Sequence, residues 1–126
     1  MSNSKKVLLI EDEKSIREAL KKAFSGTDLN ILEAENGEVG LGLAKLEKPD
    51  LILLDIVMPK MHGIDMLDQL QGQSWGKSIP VIILTNYADD PRVQRAVDAG
   101  RVEMLSKTQC HLNDVVKKVK EKLQLV

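Results

Sequence analysis

Short apolar runs alternate along this chain with segments whose apolar residues recur at helical spacing. Val7-Leu8-Leu9-Ile10, Leu51-Ile52-Leu53-Leu54 and Val81-Ile82-Ile83-Leu84 are unbroken runs of Val, Ile and Leu. Runs of this length without polar alternation predict parallel strands buried on both faces. Asn30-Ile31-Leu32 and Val102-Glu103-Met104-Leu105 predict two weaker strands. Ile16, Ala19, Leu20, Ala23 and Phe24 form a helical stripe before Gly26, and Leu112, Val115, Val116, Val119 and Leu123 form another. Asp90-Pro91 reads as a cap followed by proline in the first turn, with Gly100 as the stop. The segment from Glu38 to Leu46 carries Gly40 and Gly42, each costing about 1 kcal/mol relative to Ala. It is still predicted helical, because the parallel strands flanking it require a crossover.

Five β-α units with right-handed crossovers give an α/β, doubly wound open sheet. In such sheets, sites form outside the carboxyl ends of the strands. The residues there are informative. Glu11, Asp12 and Glu13 follow the first run, Asp55 the third and Thr85 the fourth. Ser106 and Lys107 follow the fifth. Any one of these reads equally as a helix cap or turn former. Together they place carboxylates, a hydroxyl and an ammonium around one point. Clustered carboxylates repel, and one would have its pKa raised unless a cation entered. Hard oxygen donors in small number suit Mg²⁺. A lysine and a hydroxyl beside it would hold phosphoryl oxygens, and one carboxylate could act as nucleophile.

Composition narrows the choice. The 126 residues suffice for one domain, and 18 basic against 19 acidic residues leave a net charge of −1. Neither that balance nor three aromatics (Phe24, Trp75 and Tyr87) favours nucleic-acid binding. The single cysteine, Cys110, excludes an intrachain disulfide and fits a reducing cytoplasm. No apolar run approaches membrane-spanning length, so no membrane insertion is expected. One cysteine and two histidines, His62 and His111, do not make an ordinary zinc site.

With these residues in view, the chain resembles the receiver domain of two-component response regulators, from about Lys5 to Leu123. The segment Leu51-Ile52-Leu53-Leu54-Asp55-Ile56-Val57-Met58-Pro59-Lys60-Met61-His62-Gly63 carries the strongest likeness. The acidic group at 11–13, Thr85 and Lys107 add to it. The resemblance implies a flavodoxin-like, five-stranded parallel sheet of order 2-1-3-4-5 with five helices. It implies one receiver domain over 1–126, core about 5–123, with no output domain. It implies Asp55 as phosphoacceptor and Mg²⁺ held by Asp12, Asp55, the main-chain carbonyl of Val57 and Glu11, the last directly or through water. Lys107 would pair with the phosphoryl group. Thr85 would move towards it and report to the surface of helix four, strand five and helix five, where a downstream protein would bind. The phosphoryl donor would be a sensor histidine kinase or a histidine phosphotransfer protein. The chemistry is self-catalysed, without conventional substrate turnover.

Four departures from the family pattern matter. Thr108 follows Lys107 where the family commonly has proline with a cis bond, and a cis bond before Thr costs about 2.5–4 kcal/mol, so a trans bond is predicted. Met104 occupies the family's aromatic switch position, so a switch there must use the packing of a flexible side chain. Asn86 follows Thr85 where a small residue is usual. Val57 and Tyr87 stand two positions beyond the acceptor and the switch threonine. Neither orients water well, and Tyr87 covering the site would slow autodephosphorylation.

Other features read blandly. Met58, Met61 and Met66 read as core or loop packing, His62 and His111 as surface, and the lysines of 117–122 as a solvated helix face. Trp75 reads as either a lid or a partner contact. Two other classes compete with a phosphorylation switch. A pseudo-receiver would keep the fold as a phosphorylation-independent interaction module. A true aspartyl phosphatase would need an Asp-x-Asp pattern, but Ile56 and Val57 follow Asp55. No glycine-rich nucleotide loop follows the first strand.

Overall fold

The computed structural model describes residues 4–58 and 60–125. Its elements alternate as predicted: β1 (Lys6–Ile10), α1 (Lys14–Ala23), β2 (Asn30–Ala34), α2 (Gly37–Glu47), β3 (Leu51–Leu54), α3 (Gly63–Gln71), β4 (Val81–Thr85), α4 (Pro91–Asp98), β5 (Glu103–Ser106) and α5 (Leu112–Lys122). The five strands form one parallel sheet of order β2-β1-β3-β4-β5.

The three unbroken apolar runs are the three central strands, covered on both faces. Side chains alternate across the sheet. Leu8, Ile10, Ile52, Leu54, Val81 and Ile83 pack against α2, α3 and α4 through Ala44, Ile64, Leu67, Val93 and Ala96. Val7, Leu9, Leu51, Leu53, Ile82 and Leu84 pack on the other face against Leu20, Phe24, Val115 and Val119 of the α1–α5 side. The weaker strands are the edges. β2 reaches Ala34, two residues beyond its apolar run, because pairing with β1 continues to Ile10↔Ala34. β5 starts one residue later than its run, at Glu103, and extends to Ser106 opposite Thr85. Glu103 is half-buried on the α5 side, where it binds Lys118 and Lys122 of α5, both at 2.7 Å. Those two bonds, Lys118's first, hold its carboxyl below the ordinary range.

Helix starts follow local chemistry. The Asn36 side chain accepts from Val39 N–H and Asp90 from Arg92 N–H, both as N-caps. His62 is half-buried, and its Nδ1 accepts from Ile64 N–H at the start of α3. His111 opens α5, its N–H donating to Asp114. Met58 and Met66 are buried and Met61 is half-buried, in keeping with packing roles.

Candidate functional site

Parallel strands all end on one edge, so the residues after β1, β3, β4 and β5 converge there. The Asp55 N–H donates to the Ile10 carbonyl, which sets the end of β3 beside the end of β1. One carboxylate oxygen from each of Glu11, Asp12 and Asp55 lies within 4.8 Å of the others. Glu11 is 2% exposed and Asp55 7%, whereas Asp12 is half-buried. Lys107 arrives from the end of β5, held by its N–H to the Thr85 carbonyl. Its ammonium lies 2.6 Å from Glu11 Oε1 and 3.3 Å from Asp55 Oδ1.

Two buried carboxylates and one ammonium leave a net negative charge out of water. Burial, then the charge of Glu11, pushes the Asp55 carboxyl up from 3.8 to about 7. The Lys107 charge and the Ile56 N–H, 2.8 Å from Asp55 Oδ1, pull the other way without prevailing. Burial opposes the charge on Lys107, but the bond to Glu11 and the attraction of Asp55 outweigh it and hold its pKa above the ordinary lysine value. The acidic set therefore has room for a further positive charge. Its hard oxygen donors, few and partly open to water, fit Mg²⁺. No described residue donates a hydrogen bond to the Val57 carbonyl, which leaves that oxygen available as a metal ligand.

The loop under Asp55 depends on Gly63. A Cβ there would lie 2.8 Å from Ile56 Cα and closer still to the Asp55 carbonyl oxygen. The Gly63 N–H donates to the Ile56 carbonyl at 2.7 Å, tying the start of α3 to the residue that follows Asp55. Pro59 of the same loop lies outside the described residues.

Thr85 is fully buried at the end of β4, and its hydroxyl accepts from the Tyr87 N–H at 2.9 Å. Asn86 is exposed. Val57 and Tyr87 are 49% and 52% exposed, so neither side chain is folded into the acidic cluster. Met104 is half-buried against the α2–α3–α4 side of the core. The Lys107–Thr108 bond is trans, like every peptide bond among the described residues.

One residue escaped sequence reasoning. Arg17 of α1 donates from Nη1 to the carbonyls of Glu11 (2.8 Å) and Asp12 (3.2 Å), and its Nε lies 3.7 Å from Glu33 of β2. It anchors the backbone that presents two of the three carboxylates. The only sequence signal was an arginine one turn into a helix that follows an acidic turn.

The model of the response regulator receiver domain matches residues 7–120. The chain belongs to the response regulator receiver family. The receiver domain is 39% identical over 101 residues to the KDP operon transcriptional regulatory protein KdpE of Escherichia coli, covering 80% of this chain and 44% of that protein. It is 35% identical over 101 residues to histidine kinase P4 of Formosa agariphila, covering 80% of this chain and 7% of the kinase. The chain thus spans less than half of either relative. In structure it resembles the signal receiver domain of a signal transduction histidine kinase from Syntrophus aciditrophicus, with TM-score 0.84 and 31% identity, covering 98% of this chain and 92% of that one. Among the described residues no helix is long and apolar enough to cross a membrane.

Proposed function

We propose that this receiver domain is a phosphorylation-dependent switch with Asp55 as its acceptor. The observation that carries the reading is the meeting of buried Glu11 and Asp55 with half-buried Asp12 and Lys107 at one sheet edge. An Asp55 oxygen attacks the phosphorus of a phosphohistidine on a sensor kinase or phosphotransfer protein. The P–O bond forms as the P–N bond breaks, and the electron pair leaves with the imidazole. Mg²⁺, held by Asp12, Asp55, the Val57 carbonyl and Glu11, would neutralise the phosphoryl oxygens and favour the ionised, nucleophilic form of Asp55. Lys107 is already within reach of Asp55 and exchanges a carboxylate partner for a phosphoryl oxygen.

The downstream step runs through Thr85. Its hydroxyl must release the Tyr87 N–H to turn towards a phosphoryl group, which frees the chain between β4 and α4. That coupling leads to the α4–β5–α5 face, the proposed docking surface for a downstream protein. With Met104 on β5, repacking of a thioether replaces the swing of an aromatic ring. Val57, Asn86 and Tyr87 surround the entrance and set how readily water reaches the acyl phosphate. Because Tyr87 stands half out in solvent, any shielding it gives requires the β4–α4 chain to close.

Intact-mass spectrometry after incubation with Mg²⁺ and acetyl phosphate tests the reading. One added phosphoryl group on wild type and none on Asp55→Asn is the expected result. No addition, from acetyl phosphate or from a histidine kinase, would refute it and leave a phosphorylation-independent binding module.

A further inference from the structure

The solvent-facing side of α2 is built unlike that of an ordinary surface helix. Gly37, Gly40 and Ala44 face inward, and Gly40 lies so close to the Ile10 side chain that an added Cβ would collide with it. The opposite side should be polar. Instead Val39, Gly42 and Leu46 run along it, with Val39 43% and Leu46 75% exposed. Gly42 is the puzzling residue. A Cβ on it would meet nothing within 4 Å, so the fold has no use for a glycine there. Glycine weakens a helix interior, and a bare backbone on an outer face serves only something that approaches from outside.

The charges beside this stripe indicate what approaches. Glu38 and Lys45 lie seven residues apart on one flank, both exposed, and neither has an ion-pair partner among the described residues. Glu35 and Lys48, exposed at the two ends of the helix and thirteen residues apart, share the same midpoint. An antiparallel copy centred near Gly42 would set Glu38 against Lys45 and Lys45 against Glu38. It would also set Val39 against Leu46 twice, with the two Gly42 backbones at the axis. A partner of another kind would need no such self-complementarity; a two-fold pair requires it.

We propose that the outer face of α2 docks a second copy of this chain, as an antiparallel α2–α2 pair. The groove on the Glu38–Lys45 flank, about 450 Å³ and floored by Leu41, Met61 and Trp75, continues the contact surface towards α3. The half-buried Trp75 is thereby assigned to a partner contact rather than to a lid. The α2 face belongs to the β2 end of the sheet, and β5 is the opposite edge, so pairing leaves the α4–β5–α5 surface free. A single helix face is small for a specific interface, so the pairing is weak.

Sedimentation velocity and equilibrium up to about 1 mM test it, since weak interfaces of this size need high concentration. Wild type should dimerise reversibly, and Leu46→Glu should weaken that at least about tenfold. Glu38→Lys and Lys45→Glu should each weaken self-association, whereas a mixture of the two variants should pair. Circular dichroism and urea melts verify that each variant is folded. Wild type monomeric throughout, or a dimer that Leu46→Glu leaves intact, overturns the proposal. Failure of the mixed charge variants to pair overturns the antiparallel arrangement on which it stands.

Discussion

Replacing Asp55 with asparagine should stabilise the protein when Mg²⁺ is withheld, by an amount that depends on pH. Asparagine has the shape of the protonated acid and keeps an oxygen to accept from the Ile56 N–H. It removes the charge that burial and Glu11 oppose. The sign follows from linkage. A carboxyl raised from 3.8 to about 7 in the folded state favours folding fully below pH 3.8, and that contribution is lost as pH rises through about 7. Each pH unit is about 1.4 kcal/mol, so the advantage of asparagine approaches about 4 kcal/mol near pH 8 and falls below about 2 kcal/mol near pH 5. Urea denaturation of both proteins in EDTA, across that range, measures the difference. Adding Mg²⁺ should return about 2.7 kcal/mol to wild type at one hundred times its dissociation constant. A difference that stays constant with pH, or a destabilised variant, would refute the electrostatic account of the site.

Three further outcomes follow from the same geometry. Lys107→Met should destabilise by about 3–5 kcal/mol in urea melts at neutral pH, because it leaves the buried Glu11 charge without its partner. Arg17→Ala should weaken Mg²⁺ binding, read by calorimetry, whereas Glu33→Gln, which keeps both carbonyl bonds of Arg17, should bind Mg²⁺ nearly as wild type. Equal Mg²⁺ affinity in Arg17→Ala and wild type would remove its positioning role. Gly63→Ala should cost at least about 2 kcal/mol in a thermal or urea melt, since the new methyl meets backbone on both Asp55 and Ile56, which cannot swing aside as the Ile56 side chain could.

The legibility of the sequence tracked burial. Strands covered on both faces leave unbroken apolar runs, and β3 matches its run residue for residue. Edge strands obey two environments at once, so β2 and β5 were displaced by one or two residues from their runs. The stretch containing Gly40 and Gly42 read poorly as helix because both glycines lower helix propensity, although Gly40 answers to close approach by Ile10. The meeting of Glu11, Asp12, Asp55 and Lys107 was readable because parallel strands all end on one side. Arg17 was not, since its work is done on main-chain carbonyls, which carry no residue code. The exposure of Tyr87 also depended on the path of the β4–α4 chain, which no spacing reveals.

The Lys107–Glu11 bond joins residues 96 positions apart. On a ribosome, that separation becomes an order of events. β1 and β3 can pair once the chain has emerged a little beyond Leu54, bringing Glu11 and Asp55 together, but their lysine comes only with the last strand. A sheet of β1 and β3 alone would hold the two carboxylates at one edge without Lys107. The closing of β5 against β4 therefore brings more than an edge strand. It supplies the cation that the pairing of β1 with β3 lacks, which favours a last step that is all-or-none.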